Sequence, residues 1–186
     1  MTELLEQQEA FPSAYPPAPS GLSTAAAALD KDALWQRIEA WIAYRWTARG
    51  VIWIVNGPGH FEPLLMPATL TKAEVWRNDA WEEITLPASP LGGLRMIGDG
   101  PYRFTADVGG GTVPAAVSEA YRRLAEYWAS HQSSGEYALP AGVRAFSHSV
   151  GDVSVSVRGD GNWTARAIEA SGAADLLRPY RRLGRC

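Results

Sequence analysis

Histidine is the side chain best suited to proton transfer near neutral pH and to metal ligation. This chain has three: His60, His131 and His148. No two stand four residues apart, the spacing that puts a metal pair on one helix face. Ser147-His148-Ser149 with Asp152 contains the residue types of a nucleophilic triad. A triad is a spatial arrangement around a strained turn, however, and consecutive strand residues point to opposite faces. Gly109-Gly110-Gly111-Thr112 precedes a helical pattern, where free amides attract anions, but it lacks the lysine of a phosphate loop. Glu82 and Glu83 are strand neighbours facing apart, so they do not pair as acid and base. Asp160 lies in Gly159-Asp160-Gly161-Asn162, a hairpin-turn composition without the further carboxylates of a calcium loop. The single cysteine, Cys186, offers neither an intramolecular disulfide nor a cysteine-based zinc site. The expectation is a protein with no catalytic residues, no cofactor and no metal.

The composition points the same way. The chain has 186 residues, one domain's worth, with globular proportions of hydrophobic (46%) and charged (20%) residues. A net charge of −3 provides no overall basic field for nucleic acid. Arg122-Arg123 and Arg144 are isolated basics without an aromatic-basic stripe. No apolar run approaches the ~20 residues of a membrane span. Residues 1–10 are acidic and lack the apolar segment of a signal peptide, so folding is expected in the cytoplasm. Eight tryptophans are a surplus that suits either a small core or large protein contacts.

Several elements are legible. Residues 1–29 read as an extended or mobile arm, since four prolines between Phe11 and Gly21 remove donors and fix φ. A helix is expected from Asp30 to Arg49. Asp30 and Asp32 suit its start, Leu34, Ile38, Trp41, Ile42 and Trp46 form its stripe, and Gly50 stops it. Residues 51–107 alternate and carry turn signals, giving about five antiparallel strands. Within them Asn78-Asp79 joins one hairpin, and Gly98-Asp99-Gly100-Pro101 joins a second, between 94–97 and 102–106. A second long helix is expected from Pro114 to His131, with Val117, Tyr121, Leu124 and Trp128 on its apolar face. Residues 136–149 read as loop, and Val153, Val155 and Val157 as a strand. A short amphipathic helix over 173–183 is kinked or shortened by Pro179. The fold class is therefore α+β: two long core helices, an inserted small antiparallel β unit (about 51–107) and a short C-terminal helix. The domains read as an arm (1–29), a helical core (30–172) and a C-terminal docking tail (173–186).

Charge is uneven along the chain. Residues 1–110 hold 13 acidic and 8 basic side chains, whereas residues 111–186 hold 7 and 9. The last 12 residues set four arginines against Asp175 and interleave them with leucine and tyrosine, the composition of a docking segment.

The order of these elements, with Ala33 to Arg49, Pro114-Ala115-Ala116-Val117-Ser118-Glu119-Ala120 and the closing Leu176-Leu177-Arg178-Pro179-Tyr180-Arg181-Arg182-Leu183, resembles the head–tail connector (adaptor) proteins of long-tailed bacteriophages and gene transfer agents. The resemblance covers about residues 30–186. The chain departs from the family at its start, where a Pro-rich arm and a short alanine run replace an acidic, alanine-rich first helix. The resemblance implies a homo-oligomeric ring, usually a dodecamer, beneath the portal of a phage-like particle. It implies as partners the portal protein, a stopper or other neck and tail protein, and further copies of the chain. DNA passes through the lumen during ejection without sequence-specific binding, and no membrane is involved. The location implied is the virion neck, after synthesis in the bacterial cytoplasm. The portal-binding residues implied are Leu176, Leu177, Arg178, Tyr180, Arg181, Arg182 and Leu183, and Arg185 extends the set by its charge. The alternative readings are a stopper, or a Trp-rich glycan-binding β module.

Overall fold

Val51, Trp53 and Val55 alternate with Ile52 and Ile54, and this pattern dictates a strand with one buried face. In the computed structural model, which describes residues 2–90, 92–132, 145–150, 153–158 and 163–181, that strand lies inside a larger sheet than the sequence announces. The strands are β1 (Glu3–Glu9), β2 (Arg49–Asn56), β3 (Gly59–Phe61), β4 (Ala68–Arg77), β5 (Ala80–Glu83), β6 (Leu94–Met96), β7 (Pro101–Val108), β8 (Ala145–Val150) and β9 (Val153–Arg158). The helices are α1 (Thr24–Ala27), α2 (Lys31–Trp41), α3 (Ala115–Gln132), α4 (Trp163–Ala170) and α5 (Ala173–Leu177), and a 3-10 turn follows over Arg178–Tyr180. The chain forms two compact units. One comprises Met1–Pro16, Ile42–Thr112 and Tyr180–Cys186, and the other Pro17–Trp41 and Val113–Pro179.

The first unit is a five-stranded antiparallel sheet in the order β1-β2-β7-β4-β5, with β3 and β6 paired as a separate ribbon. Trp53, Tyr102 and Phe104 are wholly buried on one sheet face, beside Val51, Val55 and Val75. The ribbon closes that face: Phe61 stacks flat on Phe104, centroids 4.0 Å apart, and Met96 is buried beside it. Each large side chain buried this way contributes about 1.5–3 kcal/mol. On the opposite face Glu74 accepts hydrogen bonds from Arg103 Nε (2.6 Å) and Nη2 (2.8 Å), and pairs with Lys72 at 2.8 Å. The Arg103 guanidinium lies 4.5 Å from the Trp81 ring centroid. The Arg103 hydrogen bonds hold the Glu74 carboxyl down at about 2, against the opposing effect of burial.

The second unit is helical around α3, with β8 and β9 forming a two-stranded hairpin. Val117, Ala120, Tyr121, Leu124 and Ala125 of α3 are buried together with Leu34, Trp35 and Ile38 of α2. Trp35 packs on Tyr121 at 5.1 Å. The α2 cap is the one the sequence announces: Asp30 Oδ1 accepts from the Asp32 amide (2.9 Å) and the Ala33 amide (3.3 Å). Burial, with Asp30 and Asp32 nearby, pushes the Tyr121 hydroxyl up to about 12.

Two long core helices are not what the chain builds. Helix and strand contribute similar shares, and among the described residues the only helix above eleven residues is α3, which matches its expected limits within one residue. The helix expected from Asp30 to Arg49 stops at Trp41, and Arg49 opens β2 instead. Residues 43–46 have their backbone partners elsewhere. The Arg45 amide donates to Met66 O (2.8 Å), and Ala43 O accepts from the Met66 amide (2.9 Å). Aromatic residues at 44 and 46 also have modest helix propensity, so tertiary pairing wins. The arm contains β1, hydrogen-bonded along β2, and a short helix α1 capped by Ser23. The hairpin at Asn78-Asp79 forms, with both residues at positive φ as a primed turn requires. The hairpin expected around Gly98–Pro101 does not form. β6 pairs with β3, and β7 is drawn between β2 and β4. β8 replaces an expected loop, and α4 was not apparent in the sequence.

Two titrations test these cores. The Glu74 carboxyl titrates lower in the folded chain (about 2) than at its ordinary value of 4.5. Its stabilisation is therefore complete above pH 4.5 and is lost as pH falls towards 2. Urea unfolding of Glu74→Gln should show a loss of about 1–3 kcal/mol at neutral pH and a flatter acid limb. Tyr121 has the opposite sign. Its effect on stability is constant below its ordinary 10 and becomes unfavourable as pH rises from 10 towards 12. Tyr121→Phe should remove that alkaline slope in thermal melts between these pH values.

Candidate functional site

The closing segment holds the residues that the resemblance implies as portal-binding. Leu177 ends α5 fully buried in the core of the helical unit, and Leu176 beside it is partly exposed. Arg178 is exposed. Pro179 follows in the 3-10 turn, where its missing amide and fixed φ suit the end of the helix. Tyr180 belongs to the sheet unit. Its ring meets Tyr44 edge-on at 5.3 Å and Trp46 at 5.7 Å, and its carbonyl accepts from the Ala43 amide at 3.0 Å. Arg181 is exposed, and Arg182, Leu183 and Arg185 lie outside the described residues. The motif is thus divided in the fold. Leu177 and Tyr180 anchor the segment to its own chain, whereas the arginines at 178 and 181 lie at the surface.

The other end is fastened by charge. Glu9, near the end of β1, accepts from Arg45 Nε (2.5 Å) and Nη2 (3.0 Å), and from Arg49 Nη1 (3.0 Å). Both arginines are buried. Arg45 Nη1 also donates to the carbonyls of Ile42 and Tyr44, each at 3.1 Å, and Arg49 Nε donates to Thr47 O at 3.2 Å. The Arg49 guanidinium lies 5.7 Å from the Tyr15 ring, and Gln7 Oε1 accepts from Trp53 Nε1 at 2.8 Å. These contacts hold residues 7–15 on the sheet and leave β1 as its outermost strand. Along that edge Leu4 is 45% exposed and Leu5 53%, between Glu3 and Glu6, and Phe11 beyond it is 89% exposed. A register shift between Leu4 and Glu6 leaves Leu5 without a partner on β2.

Other candidates are dispersed. His60 is in β3, His131 packs at a tilt against Tyr127 in the last turn of α3, and His148 is in β8. Among the described residues no group of histidine, cysteine, aspartate and glutamate side chains could hold a metal ion. Ser147 and Ser149 also lie in β8, and Asp152 and Asp160 lie outside the described residues. The Gly109 amide donates to Pro67 O at 2.9 Å and so serves the fold. Among tryptophans with described side chains only Trp76 counts as exposed, at 40%, and its ring meets Trp81 edge-on at 5.3 Å. No helix among the described residues is long and apolar enough to cross a membrane. Comparison with known proteins finds no family model and no curated protein that matches this chain.

Sequence reasoning missed the Glu9–Arg45–Arg49 clasp and the Tyr44–Trp46–Tyr180 cluster. A faint signal existed for the first: Gln7 and Glu9 are spaced to share one strand face, and Arg45 and Arg49 stand four residues apart where β2 begins. Glu9→Ala would leave two buried guanidinium groups without their carboxylate. The expected cost is about 3 kcal/mol, the scale for removing one partner of a buried pair. Hydrogen exchange should show the β1 amides losing protection before those of β7.

Proposed function

We propose that this chain is a head–tail connector (adaptor) subunit of a phage-like particle. Copies form a ring, a dodecamer in the family it resembles, between the portal protein and a stopper or other neck protein. DNA passes through the lumen. The observation that carries this reading is the open β1 edge, clasped by Glu9 and bearing exposed Leu4 and Leu5 between glutamates. An unpaired strand edge is a template for another chain. A strand pinned in position with apolar side chains outward supports assembly better than catalysis. The acidic edge and the arginine-rich closing segment are opposite in charge, as head-to-tail contacts between copies or with a partner require.

In this reading the residues of the closing motif divide their duties. Leu177 and Tyr180 act indirectly, by fixing where the segment leaves the fold. Arg178, Arg181, Arg182 and Arg185, with Leu176 and Leu183, make the contact. Trp76 is the one observation favouring the glycan-binding alternative, and its edge-on neighbour leaves no flat pair of rings for a sugar.

Sedimentation of the purified protein with and without purified portal protein tests the reading. The wild type should co-sediment with portal rings. A variant combining Arg178→Glu with removal of residues 182–186 keeps Leu177 and Tyr180, so it should melt like the wild type and bind portal at least tenfold more weakly. Leu5→Asp should bind portal as single subunits and fail to complete a ring. Wild-type protein that ignores the portal would overturn the proposal.

A further inference from the structure

We infer that in the free chain the open edge of β1 is covered by the chain's own closing segment, Arg181 to Arg185, lying antiparallel along it. The contact itself does not need the connector reading, and only its release by a portal rests on that reading. An edge strand directs amides and carbonyls outward, and natural sheets blunt or cover such edges. β1 contains no proline and no cation, and Leu4 and Leu5 stand exposed in its first half. Glu3 and Glu6 bracket these leucines. Gln8 Nε2 donates to Glu6 Oε1 at 2.7 Å, and among the described residues neither carboxylate meets a cation. The edge thus presents acid, two leucines and acid, and it suits a strand that presents base, an apolar side chain and base.

The closing segment has that pattern. Arg182-Leu183-Gly184-Arg185 repeats the spacing of Glu3-Leu4-Leu5-Glu6 with opposite charge. A single antiparallel register sets Arg182 against Glu6, Leu183 against Leu5 and Arg185 against Glu3, so all three pairs arise together. Tyr180 fixes where the segment sets out. Its ring rests on Tyr44 and Trp46, which flank the Arg45 held by Glu9. The segment therefore starts from the Glu9 end of the sheet and runs antiparallel to β1 as it extends towards Glu3. Tyr180–Cys186 fall in the same compact unit as β1. At about 3.3 Å per residue, the six residues after Tyr180 span about 20 Å, close to the length of seven-residue β1. Exposed ion pairs are individually weak and screened by salt, so such a cover is readily displaced. A portal that takes the same arginines bares the edge for the next copy, and assembly then starts at the portal.

The lone cysteine, Cys186, provides the test, because it takes a nitroxide spin label at the end of the segment. In the ¹⁵N-labelled full chain without portal, the amide signals of Leu4, Leu5 and Glu6 should broaden, and those of β5 at the opposite edge should not. A mixture of spin-labelled chain without ¹⁵N and ¹⁵N chain without the spin label should show no broadening. Broadening there would put another copy's segment on β1 and overturn the inference. Glu3→Lys combined with Glu6→Lys should reduce the effect at least threefold. Both glutamates are exposed, so this variant should fold normally. Glu82→Lys combined with Glu83→Lys makes the same charge change at the far edge and should leave the effect intact. Unbroadened β1 amides in the wild type, broadening that survives Glu3→Lys with Glu6→Lys, or equal loss in both double variants would overturn the inference. Purified portal protein should abolish the broadening. Broadening that persists beside the portal supports the cover and counts against the connector reading.

Discussion

A single carboxylate, that of Glu9, governs how the sheet unit closes. Arg45 and Arg49 are buried, and burying a guanidinium is costly unless it is paired and hydrogen-bonded. Glu9 meets both, and backbone carbonyls of residues 42, 44 and 47 take further donors. The consequences spread outward. With its guanidinium held this way, Arg45 belongs to an extended segment that pairs with Met66, and the helix before it ends at Trp41. β2 can then begin at Arg49, and β1 is held along it. The exposed edge and the seat for Tyr180 both follow from that arrangement, since Tyr44 and Trp46 flank Arg45 in the same segment.

The two ends of the chain are held by different physics. The N-terminal strand is held by charge and ladder hydrogen bonds, and the C-terminal turn by aromatic packing around Tyr180. Edge-to-face aromatic contacts are worth about 0.5–1.5 kcal/mol each beyond their buried area. They also tolerate salt, whereas exposed ion pairs are screened. A segment anchored by Tyr180 can therefore offer its arginines to a partner while the fold keeps its grip on the chain. Leu177 is buried in the helical unit, and half-buried Tyr180 packs on Tyr44 and Trp46.

Legibility in the sequence followed the range of each interaction. The α2 cap at Asp30, the apolar face of α3 and the turn at Asn78-Asp79 rest on residues within a few positions of one another, and all three were readable. The extent of α2 was not, because the helical spacing of Trp41, Ile42 and Trp46 coincides with other duties: Trp46 belongs to the Tyr180 cluster. β1 was hidden because a strand of glutamate, glutamine and leucine has no clean alternation, and its inward residues are polar groups with partners over 30 positions away. The pairing of β3 with β6 was hidden for the same reason. Nothing near either strand announces it.

The sequence by itself determined the turn at Asn78-Asp79, where α2 and α3 begin, and which face of α3 and of β2 is apolar. Those outcomes depend on backbone sterics, capping hydrogen bonds and side-chain periodicity, all of which act over a single turn or a few strand residues. The tertiary structure alone decided which strand lies beside which, that Glu9 serves two arginines, that Leu177 is buried, and that Tyr180 packs on Tyr44 and Trp46. Such choices depend on distances between residues far apart in the chain. Those distances exist only once burial of Trp53, Tyr102 and Phe104 has drawn the strands together.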